Sequence, residues 1–199
     1  MDLTVTPGLL SGQIPAIPSK SQAHRLMLCS AFADSETELL CPRTSQDMEA
    51  TAGCLRSLGA SVTRTDAGCR IRTIREIPRH AVLDCRDSGS TLRFLLPVAG
   101  ALGVDATFQM EGRLPRRPLS PLREELERMG CSLSRPTETT LRIEGRLHSG
   151  TYRMAGNVSS QFITGLLFAG VLIPGPFSLE ITGKLESRPY HPIVMPSKH

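Results

Sequence analysis

Apolar and polar positions recur along this chain in blocks of about seventy residues. Three segments share one order: a polar start rich in Ser or Gly, an apolar run at helical spacing, a turn with Gly, Pro or Asp, then an alternating strand. They read PSKSQAHRLMLCSAFADSETELLC from Pro18 to Cys41, RDSGSTLRFLLPVAGALGVDATFQMEG from Arg86 to Gly112, and GNVSSQFITGLLFAGVLIPGPFSLEITG from Gly156 to Gly183. Ser21, Ser90 and Ser160 hold like places, 69 and 70 residues apart. A second element repeats between them. Met48 to Arg64 reads as an amphipathic helix with Ala52, Leu55 and Leu58 as its stripe and Gly59 at its end. Its counterpart runs from Leu119 to Arg135, with Leu122, Leu126 and Met129 as stripe and Gly130 as cap. Two strands follow each cap, the second at Cys69 to Ile74 and at Thr140 to Glu144.

The pattern predicts an α/β (α+β) fold built of a strand–helix–strand–helix–strand–strand unit, packed copy against copy. The apolar runs Leu92 to Leu102 and Phe162 to Ile173 suit its centre. Arg123, Glu124, Glu127 and Arg128 turn one side of their helix outward. The third copy is expected to be incomplete, because the sequence after Tyr190 reads HPIVMPSKH and Pro192 and Pro196 break any long helix there.

Composition narrows the chemistry. Of the 23 basic residues only Lys20, Lys184 and Lys198 are Lys. The rest are Arg, whose planar fork suits carboxylate and phosphate. They are scattered, Trp is absent and Tyr is limited to Tyr152 and Tyr190, so no nucleic-acid partner is expected. The six Cys form no C-x-x-C pair. Cys29 and Cys54 fall in apolar helical patterns, which predicts buried thiols in a reducing compartment. The five His do not pair at ligand spacing, and no metal is expected. No basic stretch precedes an apolar run at the N-terminus, and the longest apolar run is too short for a membrane span. A cytoplasmic protein without a membrane partner is expected.

Each helix start is suited to an anion or a polar ligand, since the first N–H groups of a helix lack partners. Ser19, Lys20 and Ser21 precede the first helix, with Arg25 one turn in; Ser19 also reads as an ordinary cap. Gly89 and Ser90 open the second helix, where Arg93 is unfavourable to the helix dipole unless an anion offsets it or it folds back onto Asp87 or a neighbour. Asn157, Ser159, Ser160 and Gln161 open the third with neutral donors, or simply cap it. The link from Gly112 to Leu119 carries Arg113, Arg116 and Arg117, and Pro118 fits the first position of the next helix.

Five motifs in order, IPSKSQAHR, DCRDSGSTLRFLLP, LPRRPLSPL, GNVSSQFITGLLFA and ITGKLESRPY, resemble 5-enolpyruvylshikimate-3-phosphate synthases (3-phosphoshikimate 1-carboxyvinyltransferases). The resemblance implies an inside-out barrel domain of repeated βαβαββ units, here with the third unit incomplete. It implies residues 1–12 as a segment crossing to a second domain, 13–190 as the substrate-binding domain with repeats at about 13–78, 79–148 and 149–190, and 191–199 as a divergent tail. The implied partners are shikimate 3-phosphate and phosphoenolpyruvate, in a monomer that uses no metal or organic cofactor. The implied reaction moves the enolpyruvyl group onto the 5-hydroxyl of shikimate 3-phosphate, on the route to chorismate and the aromatic amino acids. Lys20 matches a catalytic lysine near both substrates. Ser21, Arg25, Ser159, Ser160, Gln161, Ser187 and Tyr190 match shikimate 3-phosphate contacts. Gly89, Ser90, Arg93 and Arg117 match the phosphoenolpyruvate side, together with an arginine that is either Arg113 or Arg116. Asp87 stands where the family often has Asn. The implied aspartate base and further cations belong to the second domain, so the chain by itself is expected to bind and not to turn over. The competing expectation is a non-catalytic anion-binding domain descended from such an enzyme.

Overall fold

The computed structural model describes residues 18–184 without a break, together with 4, 8, 9 and 11–13. The first apolar run folds as α1 (Lys20–Ala31), followed by β1 (Thr37–Leu40), α2 (Gln46–Ser57), β2 (Ser61–Thr65) and β3 (Gly68–Arg72). The second unit is complete, with β4 (His80–Asp84), α3 (Gly89–Leu102), β5 (Asp105–Gln109), α4 (Leu122–Arg128), β6 (Cys131–Ser134) and β7 (Thr140–Gly145), and a 3-10 turn at Leu114–Arg116. The third gives β8 (Gly150–Ala155), α5 (Ser160–Leu172) and β9 (Phe177–Thr182).

Sheet topology repeats with the sequence. β4 pairs parallel with β5, β5 antiparallel with β7, and β7 antiparallel with β6. In the first unit β1, β3 and β2 repeat the last three places of that order. In the third, β8 and β9 repeat its parallel pair. Register follows the alternation: Ala106 and Phe108 of β5, both fully buried, face Ile143 and Leu141 of β7. The sheets present one face outward and their apolar face to the helices. α2 packs on β4 and α4 packs on β8, so each unit's second helix closes against the next unit's first strand.

α3 and α5 form the centre, as their composition predicts. Phe94, Leu95, Leu96, Val98 and Ala99 of α3 are essentially without exposure, as is Leu166 of α5. Each of these Phe, Leu and Val side chains stabilises the fold by about 1.5–3 kcal/mol. The crossing has a specific cause. Pro97 has no N–H to give the carbonyl of Arg93 one turn back, and Gly165 of α5 packs against that carbonyl and the Pro97 ring. A Cβ at residue 165 would collide with both.

The amphipathic helices expected to be capped by Gly59 and Gly130 end at Ser57 and Arg128. Gly59 and Gly130 turn the chain at φ 104° and 111°, and the residues beyond them become β2 and β6. Pro118 is not the first helical position: α4 opens behind Pro121, whose ring disfavours helical backbone at Ser120. Cys29 is exposed, because it lies on the side of α1 away from α2 and α3, whereas Cys41, Cys54, Cys85 and Cys131 are buried. Sequence patterning also missed Glu125, which is buried. It accepts bonds from Arg128 at 2.9 and 2.7 Å and from the Arg153 N–H, tying α4 to β8. Burial raises its pKa, but these bonds outweigh that effect and hold it below the ordinary carboxylate value.

Candidate active site

The starts of α1, α2, α3 and α5 meet. Lys20 at the start of α1 reaches Asp47 in the first turn of α2, Nζ to Oδ2, at 2.7 Å. The Asp47 carbonyl accepts from the Thr91 hydroxyl of α3 at 3.4 Å. Gln161 of α5 bridges twice to α3. Its Nε2 donates to the Ser90 hydroxyl at 2.8 Å, and its Oε1 accepts from Arg93 at 2.7 Å. Three starts are capped in the ordinary way: Ser19, Ser45 and Ser88 accept from the N–H three residues on, at 3.4, 3.3 and 3.4 Å. At α5, Ser159 stands in the cap position and makes no capping bond, which leaves its hydroxyl and the neighbouring Ser160 for other use.

The start of α3 is held rigidly. Arg86 adopts φ 49°, a left-handed backbone uncommon for a residue with a Cβ. The turn is fixed by Ser88 N–H on the Cys85 carbonyl at 2.9 Å and Glu111 N–H on the Arg86 carbonyl at 2.7 Å. Two guanidinium groups then close over Gly89. A Cβ there would stand 2.9 Å from Arg117 and 3.2 Å from Arg93. Glycine therefore lets both guanidinium groups come this close, and any side chain here would make Arg117 shift and Arg93 give slightly.

The charge balance of this corner is positive. Arg93 does not fold back onto Asp87; it lies over the Phe162 ring at 5.4 Å, and its buried Nε has no partner among the described residues. Burial, and then the charge of Arg117, hold its pKa below the ordinary value. The carboxylate of Asp87 stands 4.0 Å from Arg117 and packs against Gly112. Two close cations with one loosely paired acid make a site for an anion with two or more charges.

Arg25 lies deeper. It donates to the Ser21 carbonyl at 2.8 Å and the Thr164 hydroxyl at 3.0 Å, over the Phe94 ring at 5.0 Å, so it joins α1 to α5 and α3. Arg113 and Arg116 are exposed, and neither approaches Gly89 as Arg117 does. Arg116 lines an open groove of about 600 Å³ with Arg135, Thr137 and Thr139. Ser187 and Tyr190 lie outside the described residues. Asp47, Thr91 and Thr164 were not legible as site residues, since their partners are distant in sequence. Among the described residues no group of three His, Cys, Asp or Glu is placed for a metal ion, and no helix is long and apolar enough to cross a membrane.

A family model of EPSP synthase (3-phosphoshikimate 1-carboxyvinyltransferase) matches residues 5–195. The chain belongs to the EPSP synthase family. Among curated relatives, the 3-phosphoshikimate 1-carboxyvinyltransferase of Clostridium kluyveri is 38% identical over 97% of this chain and 46% of its own length. That of Clostridium beijerinckii is 36% identical over 95% and 46%. The chain thus spans about half the length of the curated relatives it matches. The fold is that of the Acinetobacter baumannii EPSP synthase structure, with TM-score 0.73 at 21% identity over 88% of this chain and 41% of that one. The enolpyruvyl transferase NikO from Streptomyces tendae is similar more distantly, with TM-score 0.58 at 15% identity over 82% and 38%. This is the inside-out α/β barrel that the repeat and the motifs of the EPSP synthase family predict.

Proposed function

We propose that this chain forms the substrate-binding domain of a 3-phosphoshikimate 1-carboxyvinyltransferase. Residues 13–190 make up that domain. The supporting observation is the junction at the start of α3, where Arg93 and Arg117 stand beside Gly89 and Gln161 of α5 reaches Ser90 and Arg93, with Lys20 of α1 held on Asp47 of α2. In this reading shikimate 3-phosphate lies on Lys20, Ser21, Ser159, Ser160 and Gln161, with Arg25 bracing the floor. Phosphoenolpyruvate lies over the N–H groups of Gly89 and Ser90, its charges met by Arg93, Arg117 and Lys20. Of the loop arginines, Arg117 takes the phosphoenolpyruvate role rather than Arg113 or Arg116, because it alone is drawn to Gly89.

The chemistry requires a C–O bond from the 5-hydroxyl to the enolpyruvyl carbon and loss of phosphate from that carbon. Fixed cations and helix N–H groups stabilise the charge that develops, and Lys20 between the substrates is the group placed to shuttle a proton. The described acids of the corner are Asp47 and Asp87, and both face cations, at 2.7 and 4.0 Å. Neither is placed as a free base. In this reading the 199-residue chain alone binds shikimate 3-phosphate weakly and does not turn over. Phosphate release in the presence of both substrates tests this: no release above background is expected. Release that depends on both substrates and is lost in Lys20→Ala would overturn the inactivity and leave the substrate assignment standing.

A further inference from the structure

Beneath the site lies a chain of buried polar groups that no ligand role accounts for. His24 Nδ1 lies 2.7 Å from the Thr51 hydroxyl, which lies 2.7 Å from the Thr91 hydroxyl, which donates to the Ser88 hydroxyl at 2.7 Å. All four residues are 1% exposed or less. They come from α1, α2, α3 and the cap of α3.

The protons of this chain can be assigned by counting. Thr91 gives its single hydroxyl proton to Ser88 at 2.7 Å, with the Asp47 carbonyl at 3.4 Å as a second, longer acceptor, so none is left for Thr51 and the proton between Thr51 and Thr91 belongs to Thr51. With that proton committed, the one between His24 and Thr51 must sit on Nδ1. His24 is then neutral, with its lone pair on Nε2, and Nε2 has no partner among the described residues. Every donor points the same way, from the imidazole towards the first turn of α3. The Ser88 oxygen receives both the Thr91 hydroxyl and the Thr91 N–H, which fixes the turn that carries Gly89 and Ser90.

We propose that His24 is a positioning residue for the anion site: as a neutral Nδ1–H imidazole it orders Thr51, Thr91 and Ser88, and so holds the N–H groups at the start of α3 ready for a ligand. The surroundings favour the neutral ring. Burial disfavours its charge most strongly; Asp47 favours the charge, and Lys20 and Arg25 oppose it. Phe94 packs edge-on at 6.4 Å. A charged ring would place a second N–H at Nε2 with no acceptor among the described residues, in a pocket already bordered by two cations.

Three readouts on the intact chain decide the matter. Long-range proton–nitrogen NMR of His24 is expected to show the Nδ1–H tautomer at pH 7; an Nε2–H tautomer would overturn the proposal. Amide hydrogen exchange at Gly89, Ser90 and Thr91 is expected to speed up about tenfold in Thr51→Val, an isosteric change that cuts the chain, and to recover in Thr51→Ser. Protection at Leu141 and Ile143 should stay unchanged. Equal loss at all these amides, or no change at the α3 start, would overturn it. The third readout rests on the substrate reading: phosphoenolpyruvate affinity should fall about tenfold in Thr51→Val and return in Thr51→Ser. If the unmutated chain binds no substrate, the substrate reading fails, while the first two readouts still settle the role of His24.

Discussion

Gly89 is the residue at which the backbone, two guanidinium groups and the proposed ligand all crowd. A methyl there would stand 2.9 Å from Arg117 and 3.2 Å from Arg93, so Gly89→Ala pushes Arg117 aside and presses on Arg93. The expected result is about a tenfold loss of phosphoenolpyruvate affinity. Shikimate 3-phosphate, which the proposed reading rests mainly on α1 and α5, should bind nearly as before; competition binding of the two ligands checks the split. Arg117→Lys should not rescue Arg117→Ala fully, since a point charge on a flexible stem cannot reproduce a planar fork over Gly89. His24 makes a prediction about acidity. In the unfolded chain its ring takes up a proton near pH 6.5; in the fold burial lowers its pKa to about 4. Between those values the unfolded state holds the extra proton. Stability therefore falls as pH drops from about 6.5 to about 4 and changes no further on this account below it. The full effect is on the order of 3 kcal/mol. Urea unfolding of the native chain and of His24→Asn, at pH 7 and pH 5, should show the slope only where the imidazole is present. An NMR titration placing His24 near its ordinary value would contradict the account.

At the scale of elements, the crossing of α3 and α5 is the joint on which the site depends, because Gln161 and Arg93 reach across it. Gly165→Val sets a branched side chain against a carbonyl and a proline ring. It should cost about 2 kcal/mol or more, read as a fall in Tm of roughly 5 °C. No change in Tm would mean that the helices do not cross there. These elements were largely legible in the sequence. Helical apolar runs, alternating strands and terminal glycines place α1, α3, α5 and the β2–β3 and β6–β7 hairpins, because each depends on local spacing. What was not legible depends on distance. Nothing near Lys20 announces that Asp47 will hold it, and nothing near Arg93 announces Gln161, a residue 68 positions on. Glu125 reads as one more charge on a charged helix, yet it is buried because β8 supplies an N–H to meet it. Cys29 reads as core only while the facing helices are unknown.

At the scale of the molecule, the repeat explains why one corner collects so much anion-binding chemistry. Three copies of one unit bring equivalent helix starts to a common end, and each copy has kept different side chains there: a lysine in the first, arginines in the second, uncharged donors in the third. In the proposed reading, neutral Ser and Gln on α5 hold shikimate 3-phosphate without adding to the repulsion between Arg93 and Arg117. The proposed function requires these starts to form one substrate site together. Calorimetric titration of the 199-residue chain with shikimate 3-phosphate tests it most directly. Saturable one-to-one binding is expected, weakened about tenfold in Gln161→Ala, which loses the bridge between α5 and α3. No heat of binding at millimolar ligand, or equal binding by the variant, would contradict it.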